Sequence, residues 1–258
     1  MTDWIPNLPV VLIAVVALVG MALLTLAIYA LVMHLAESER AEALQALSPG
    51  MLPPMGILFA LIVGFLAVGV WGNVDRAEEV ISDEASALRS VVILSDDLPP
   101  EVRVRMRAHI RRQIESAVND EWPAMREQRA ILSPVPAPLA DALHLALRVD
   151  PQDESEMEVQ RELVTSIQDA LAARRQRIFL SESGINAVKW LALLSVAALT
   201  LCAIGLVHSA NRTTTRLAMG LFALAVAVVV TMLAAENEPF QGQLGIDPDL
   251  LEQVLTRP

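Results

Sequence analysis

The 258-residue sequence predicts an all-α integral membrane protein, with four transmembrane helices and a helical cytoplasmic region between the second and third spans. Three observations predict it. Four uncharged apolar stretches, Pro9 to Met33, Met51 to Val74, Trp190 to Val207 and Leu217 to Ala235, reach or approach the ~20 residues that cross ~30 Å of hydrocarbon. Hydrophobic residues make up 54% of the chain at a mean hydropathy of +0.49, more than the core of a water-soluble domain of this length requires. The charges collect between the two apolar pairs: residues 75–186 carry 21 acidic and 14 basic side chains, a net of −7. The chain therefore divides into a first transmembrane pair within 1–74 (about 9–33 and 51–74) and a helical soluble region, 75–186. A second pair within 187–235 (about 187–207 and 217–235) and a tail, 236–258, follow.

The first span lacks a basic n-region and is 25 residues long, so it is expected to be retained rather than cleaved as a signal peptide. The connection from His34 to Gly50 is rich in Ala, Glu and Leu and could extend that helix by several turns before Ser48-Pro49-Gly50 breaks it. Pro53-Pro54 opens the second span, whose small residues Ala60, Gly64, Ala67 and Gly69 suit close approach by a neighbouring helix. Leu61, Phe65 and Gly69 lie at spacings of four and share one face. Several copies around an axis would make of Leu61 and Phe65 a dry constriction; ordinary helix or lipid contacts are the alternative that the residues leave open.

From Asp75 to Leu94 the helix is expected to continue beyond the membrane, because Ala77, Ile81, Leu88 and Val91 recur at helical spacing. Glu84 falls on that apolar stripe, where a carboxylate is costly without a partner. The amphipathic segment Glu154 to Ser181, apolar at Met157, Leu163, Ile167, Leu171 and Ile178, ends in Arg174, Arg175 and Arg177. One of the first two is expected to pair with Glu84 and brace the two helices. Between them, Pro99-Pro100-Glu101 starts a helix with a core side at Val102, Met106, Ile110 and Ala117. Arg103, Arg107 and Arg111 lie on another face and are expected to form internal ion pairs, with an anion or a lipid headgroup as the alternative that the residues leave open. Trp122-Pro123 is expected to close that helix, and Pro134, Pro136 and Pro138 mark a loop before a short helix near Leu139 to Arg148. Beyond the fourth span, Asp247-Pro248 caps a short helix through Leu255.

Several chemistries find no support in the sequence. His34, His109, His144 and His208 are scattered without metal-ligand spacing, and there is no Gly-rich phosphate loop or nucleophile elbow, so no enzyme, metal site or cofactor is expected. Cys202 is the only cysteine, which excludes an intramolecular disulfide and a tetrahedral cysteine zinc site. The formal charge of −11 argues against nucleic acid. No Asp, Glu, Lys or Arg lies inside a span, which removes the usual mark of proton-coupled transport and is compatible with a passive pore. Eighteen arginines against the single Lys189 read as the coding bias of a GC-rich bacterium. Arg76, Arg174, Arg175 and Arg177 against Arg40, Arg212 and Arg216 favour cytoplasmic termini and a cytoplasmic middle region, in a plasma (inner) membrane.

A set of short segments then acquires meaning through its order. Phe65 through Trp71, Asp75-Arg76-Ala77, Glu84-Ala85 with Leu88, Glu121-Trp122-Pro123, Arg174-Arg175-Gln176-Arg177 and Pro239-Phe240-Gln241-Gly242, spread over residues 50–258, resemble the bestrophin-like domain family, relatives of the bestrophin anion channels. The resemblance implies a four-span helical protein in the lipid bilayer with a cytoplasmic helical region. It also implies a ring-shaped homo-oligomer, a pentamer on the channel reading, lined by the second span and passing a small anion. The bestrophin neck of one aliphatic and two aromatic residues is matched by Leu61 and Phe65, with Gly69 in the third place. Pro239, Phe240 and Gly242 form the family's turn, and Asp247 and Asp249 are a thin counterpart of the acidic calcium clasp of animal bestrophins. The alternative is a non-conducting scaffold or sensor whose helical region binds a partner or lipid, with its second span packed tightly within the chain.

Overall fold

The computed structural model describes residues 9–36, 49–127, 129–132 and 135–256, all of which are helical or irregular. Most of the proposed extension of the first helix, together with Arg40 and Pro134, lies outside the described residues. Among the described residues nine α-helices follow one another: α1 (Val10–Ala36), α2 (Leu52–Leu94), α3 (Pro100–Ser116), α4 (Trp122–Arg126), α5 (Ala137–Leu147), α6 (Glu154–Ser181), α7 (Ala187–Val207), α8 (Arg212–Ala235) and α9 (Asp249–Thr256). A π-helical turn, Ala117–Glu121, joins α3 to α4. Four of these helices, α1, α2, α7 and α8, are long and apolar enough to cross a membrane.

Helix ends follow local chemistry. The Asp153 carboxylate accepts from the Glu156 amide at 2.8 Å while the Glu156 carboxylate accepts from the Gln152 amide at 2.8 Å, a reciprocal box that starts α6 at Glu154. Asn186 and Asn211 cap α7 and α8 by accepting from the amides of Lys189 and of Thr213 and Thr214. Gln160 donates to the carbonyls of Ala146, in the last turn of α5, and of Val149, just beyond it. Inside the apolar helices, the hydroxyls of Thr25, Thr200 and Thr231 each donate to the carbonyl four residues back, so these three protons need no water.

The chain forms two compact units, Met1–Gly72 with Gly184–Asn237 and Asn73–Ser183 with Glu238–Pro258. Residues of α2 through Gly72 belong to the first unit and those from Asn73 to the second. In the first unit, Met21, Ile28 and Val32 of α1 pack with Ala197 and Leu201 of α7 and Met219, Ala223, Val226 and Ala227 of α8. Gly205 permits this: a β-carbon there would lie 3.2 Å from Val32 and 3.3 Å from Met219. A smaller cluster seats Leu66 and Val70 of α2 against Leu193 and Leu233, and Phe59 meets Phe222 edge to face at 5.3 Å.

Close packing at the glycines of the second span is not seen within the chain, although Ala67 packs against its neighbours. A β-carbon at Gly64 or Gly69 would meet nothing within 4 Å, and the glycine that lets helices approach is Gly205 of the third span. Leu66 and Val70 point α2 at its neighbours from the other side, which turns its glycines away.

The second unit has one core. Ala77, Ile81, Leu88 and Val91 of α2 meet Met106, Ile110 and Ile114 of α3, Leu139 and Ala146 of α5, and Leu163, Ile167 and Ala170 of α6. The tail does not stand apart as a separate segment, because Phe240, Leu251 and Val254 are buried in this same core. Trp122-Pro123 does not end the helical run either. The π turn widens the backbone just ahead of Pro123, whose missing N–H falls in the first turn of α4, and helix resumes to Arg126. Arg107 donates to Asp96 at 2.8 Å and Arg103 lies 3.9 Å from the same carboxylate, whereas Arg111 remains exposed.

Candidate functional site

In the first unit, the candidate site is the outer face of the second span. Of the residues in the apolar core of each span, 6% are buried in α2, against 17% in α1 and 28% in both α7 and α8, so α2 is the least covered of the four. Its open face carries Ile57, Leu61, Phe65 and Val68, at spacings of three and four, with Phe65 76% exposed. Gly64 and Gly69 lie on the exposed side as well. The three neck candidates Leu61, Phe65 and Gly69 thus face away from the rest of their own unit. At the end of the same span, the Trp71 indole donates to the Glu236 carboxylate at 2.6 Å.

In the second unit, three separated segments meet at Arg177: its own helix α6, Glu84 of α2, and the stretch from Glu121 to Met125. Its guanidinium donates from Nε to Glu84 Oε2 at 2.6 Å and from Nη2 to Glu84 Oε1 at 3.2 Å, a two-pronged pair between fully buried side chains. Nη2 also donates to Glu121 Oε2 at 2.8 Å, and the other Glu121 oxygen accepts from Arg174 Nε at 2.7 Å. Two carboxylates and two guanidiniums therefore close a neutral buried network. Burial disfavours the charge on Arg177, but the attraction and hydrogen bond of Glu84, followed by those of Glu121, outweigh it and raise its pKa above the ordinary arginine value.

Aromatic packing completes the cluster. The Arg177 guanidinium carbon stands 5.0 Å from the Trp122 ring centre, and its Nη1 lies 3.4 Å from the Met125 sulfur. Trp122 meets Phe240 edge to face at 5.6 Å and 82°, and its indole N–H donates to the Ile246 carbonyl at 3.1 Å. The turn that carries Phe240 closes through the Ile246 amide, which donates to the Pro239 carbonyl at 2.9 Å. Gly242 supplies a positive φ of 72°, open to glycine at little cost, while Pro239 is buried beside Phe240. Arg126 donates to Asp247 at 2.7 Å, so this tail carboxylate is engaged by a cation of the protein.

The expected partner of Glu84 is corrected here. Neither Arg174 nor Arg175 reaches it: Arg174 pairs with Glu121, and Arg175 is exposed. Leu163, Ile167, Ala170, Arg174, Arg177 and Ser181 follow one another at spacings of three and four along the buried face of α6, whereas Arg175 is turned about 100° from Arg174. Glu121 was missed as a partner because it is separated from both arginines by more than fifty residues. Its only signal was membership of the Glu121-Trp122-Pro123 segment.

An all-helical chain with four apolar helices of spanning length is the class this architecture defines. A family model for the bestrophin-like domain matches residues 19–251, nearly the whole chain, and the protein belongs to that family. The apolar helices and the family together point to a membrane protein. No curated protein and no solved structure matches it. Four of the six segments that carried the resemblance come together: Glu84, Glu121-Trp122, Arg174, Arg177 and Phe240 all belong to the one buried cluster.

Proposed function

We propose that this chain is the protomer of an ion channel in the plasma (inner) membrane, passing small anions through a ring of identical copies, a pentamer, around the second span. Leu61 and Phe65 then form the dry constriction and Gly69 leaves the path wider one turn further on. The observation that carries this reading is the open apolar face of α2 with its glycines turned outward. A scaffold would need that span packed tightly against its own chain, and α2 is the least covered of the four. Planar-bilayer recording of the purified protein under anion and cation replacement tests it. Phe65→Ala is expected to change single-channel conductance severalfold, and the reversal potential to follow the anion gradient. Because Phe65 is 76% exposed, its truncation should alter protomer stability by no more than about 0.5 kcal/mol. Unchanged currents would remove Phe65 from the neck. Absence of any current, or a monomer in mild detergent, would favour the scaffold.

We place the second unit and both termini in the cytoplasm. Insertion reads the flanking arginines before tertiary pairing forms, so Arg174 and Arg177 still count beside Arg76 and Arg175, against Arg40, Arg212 and Arg216. In a Cys202→Ser background, Arg212→Cys should be labelled by a membrane-impermeant maleimide added to intact cells, and Arg175→Cys only after permeabilisation. The reverse pattern would invert the topology.

A further inference from the structure

We infer that the cleft between α3 and α5 is a binding site for a hydroxyl-bearing phosphomonoester, a ligand class apart from any permeant ion. The cavity, about 460 Å³, is of the size small ligands occupy and is lined by Val102, Arg105 and His109 of α3, by Asp141 and His144 of α5 and by Arg148 at its C-terminal cap, over an apolar floor that includes Leu145. Arg105 and His109 are four apart on one helix, and His144 near the end of the other is followed four residues on by Arg148 at its cap, so each wall presents an arginine and a histidine.

The argument rests on charge that is left uncompensated. Arg103, Arg107, Arg126, Arg161, Arg174 and Arg177 each find a carboxylate in a region whose net charge is −7. Arg105 and Arg148 pair with none of the described residues although they line the same cavity. The single carboxylate there, Asp141, lies 3.8 Å from His109 Nδ1. Arg112 donates to that same ring nitrogen at 3.0 Å, which requires its lone pair and leaves Nε2–H as the donor of a neutral imidazole. Burial, then Arg112, lowers the His109 pKa, and the counter-pull of Asp141 does not reverse this. Two guanidiniums and an imidazole N–H are the donor set a phosphate oxygen cluster takes, bidentate from arginine. Asp141 would repel a bare dianion but can accept from a hydroxyl on the ester portion, which is why the ligand carries one.

Calorimetry on the full-length protein in phosphatidylcholine nanodiscs, with glycerol 3-phosphate as the probe, tests the assignment. Wild type is expected to bind it, and Arg105→Gln and Arg148→Gln each to weaken binding about tenfold or more, both without a shift in unfolding midpoint because both side chains are exposed. Arg161→Gln, which breaks an exposed pair elsewhere on the unit, should bind as wild type does. A second arm replaces part of the phosphatidylcholine with phosphatidic acid and follows hydrogen exchange over residues 102–109 and 141–149. Protection there without binding of the soluble ester would identify a lipid headgroup as the source of the phosphate. Binding of neither probe, or equal binding by wild type and both arginine variants, overturns the site.

Discussion

Arg177→Ala is expected to cost about 3–5 kcal/mol, because it strands the Glu84 carboxylate in the core with no cation and removes one of the two that serve Glu121. For a chain of this size that is a fall in unfolding midpoint of roughly 6–20 °C, read by thermal unfolding of the detergent-solubilised protein. Two controls separate the cause from lost volume. Arg175→Ala, two residues away and exposed, should change stability by no more than about 0.5 kcal/mol. Removing both ions together, Glu84→Leu with Arg177→Met, should recover most of the loss, since Glu121 keeps Arg174 and a buried pair replaced by apolar groups is often neutral. An Arg177→Ala midpoint within 2 °C of wild type, on the order of a 1 kcal/mol change or less, would show that the network is not what holds α2 to α6.

Trp122→Ala should cost a similar amount, about 3–5 kcal/mol, by a different route. The indole fills the space between Arg177 and Phe240 and holds the Ile246 carbonyl, so its removal opens a cavity and unfastens the tail turn. Trp122→Phe keeps much of the ring but loses the hydrogen bond, and a smaller loss of about 1 kcal/mol is expected beyond any change in packing. Hydrogen exchange locates the effect: in Trp122→Ala the amides of Gln241, Ile246 and Leu251, which bond within the tail, should lose protection before those of α3 do. Simultaneous loss across the unit would mean that the tail is not a separable latch.

Most of the helical skeleton is legible in the chain because it depends on local pattern. Glu154 to Ser181 is readable from its apolar period and its Asp153 start, and Glu84 could be placed in the core because it interrupts a stripe of Ala77, Ile81 and Leu88. The π turn is not legible in this way. Pro123 normally stops a helix, and only packing of the flanking Ala117 and Trp122 makes an unusually wide turn the better solution. The choice between Arg174 and Arg177 was equally beyond the sequence, since the two lie only about 60° apart on the helix and share its buried face.

The sequence alone determined four helices long and apolar enough to cross a membrane, a helical middle region and the carboxylate that had to find a cation, because hydrophobic period and desolvation cost are properties of neighbouring residues. Only the tertiary structure decided that Arg177, 93 residues from Glu84, is that cation, that Glu121 joins them, and that Leu61, Phe65 and Gly69 face outward. Those outcomes turn on which faces of distant helices meet, and that is settled by burial of the whole set of apolar stripes together rather than by any one of them.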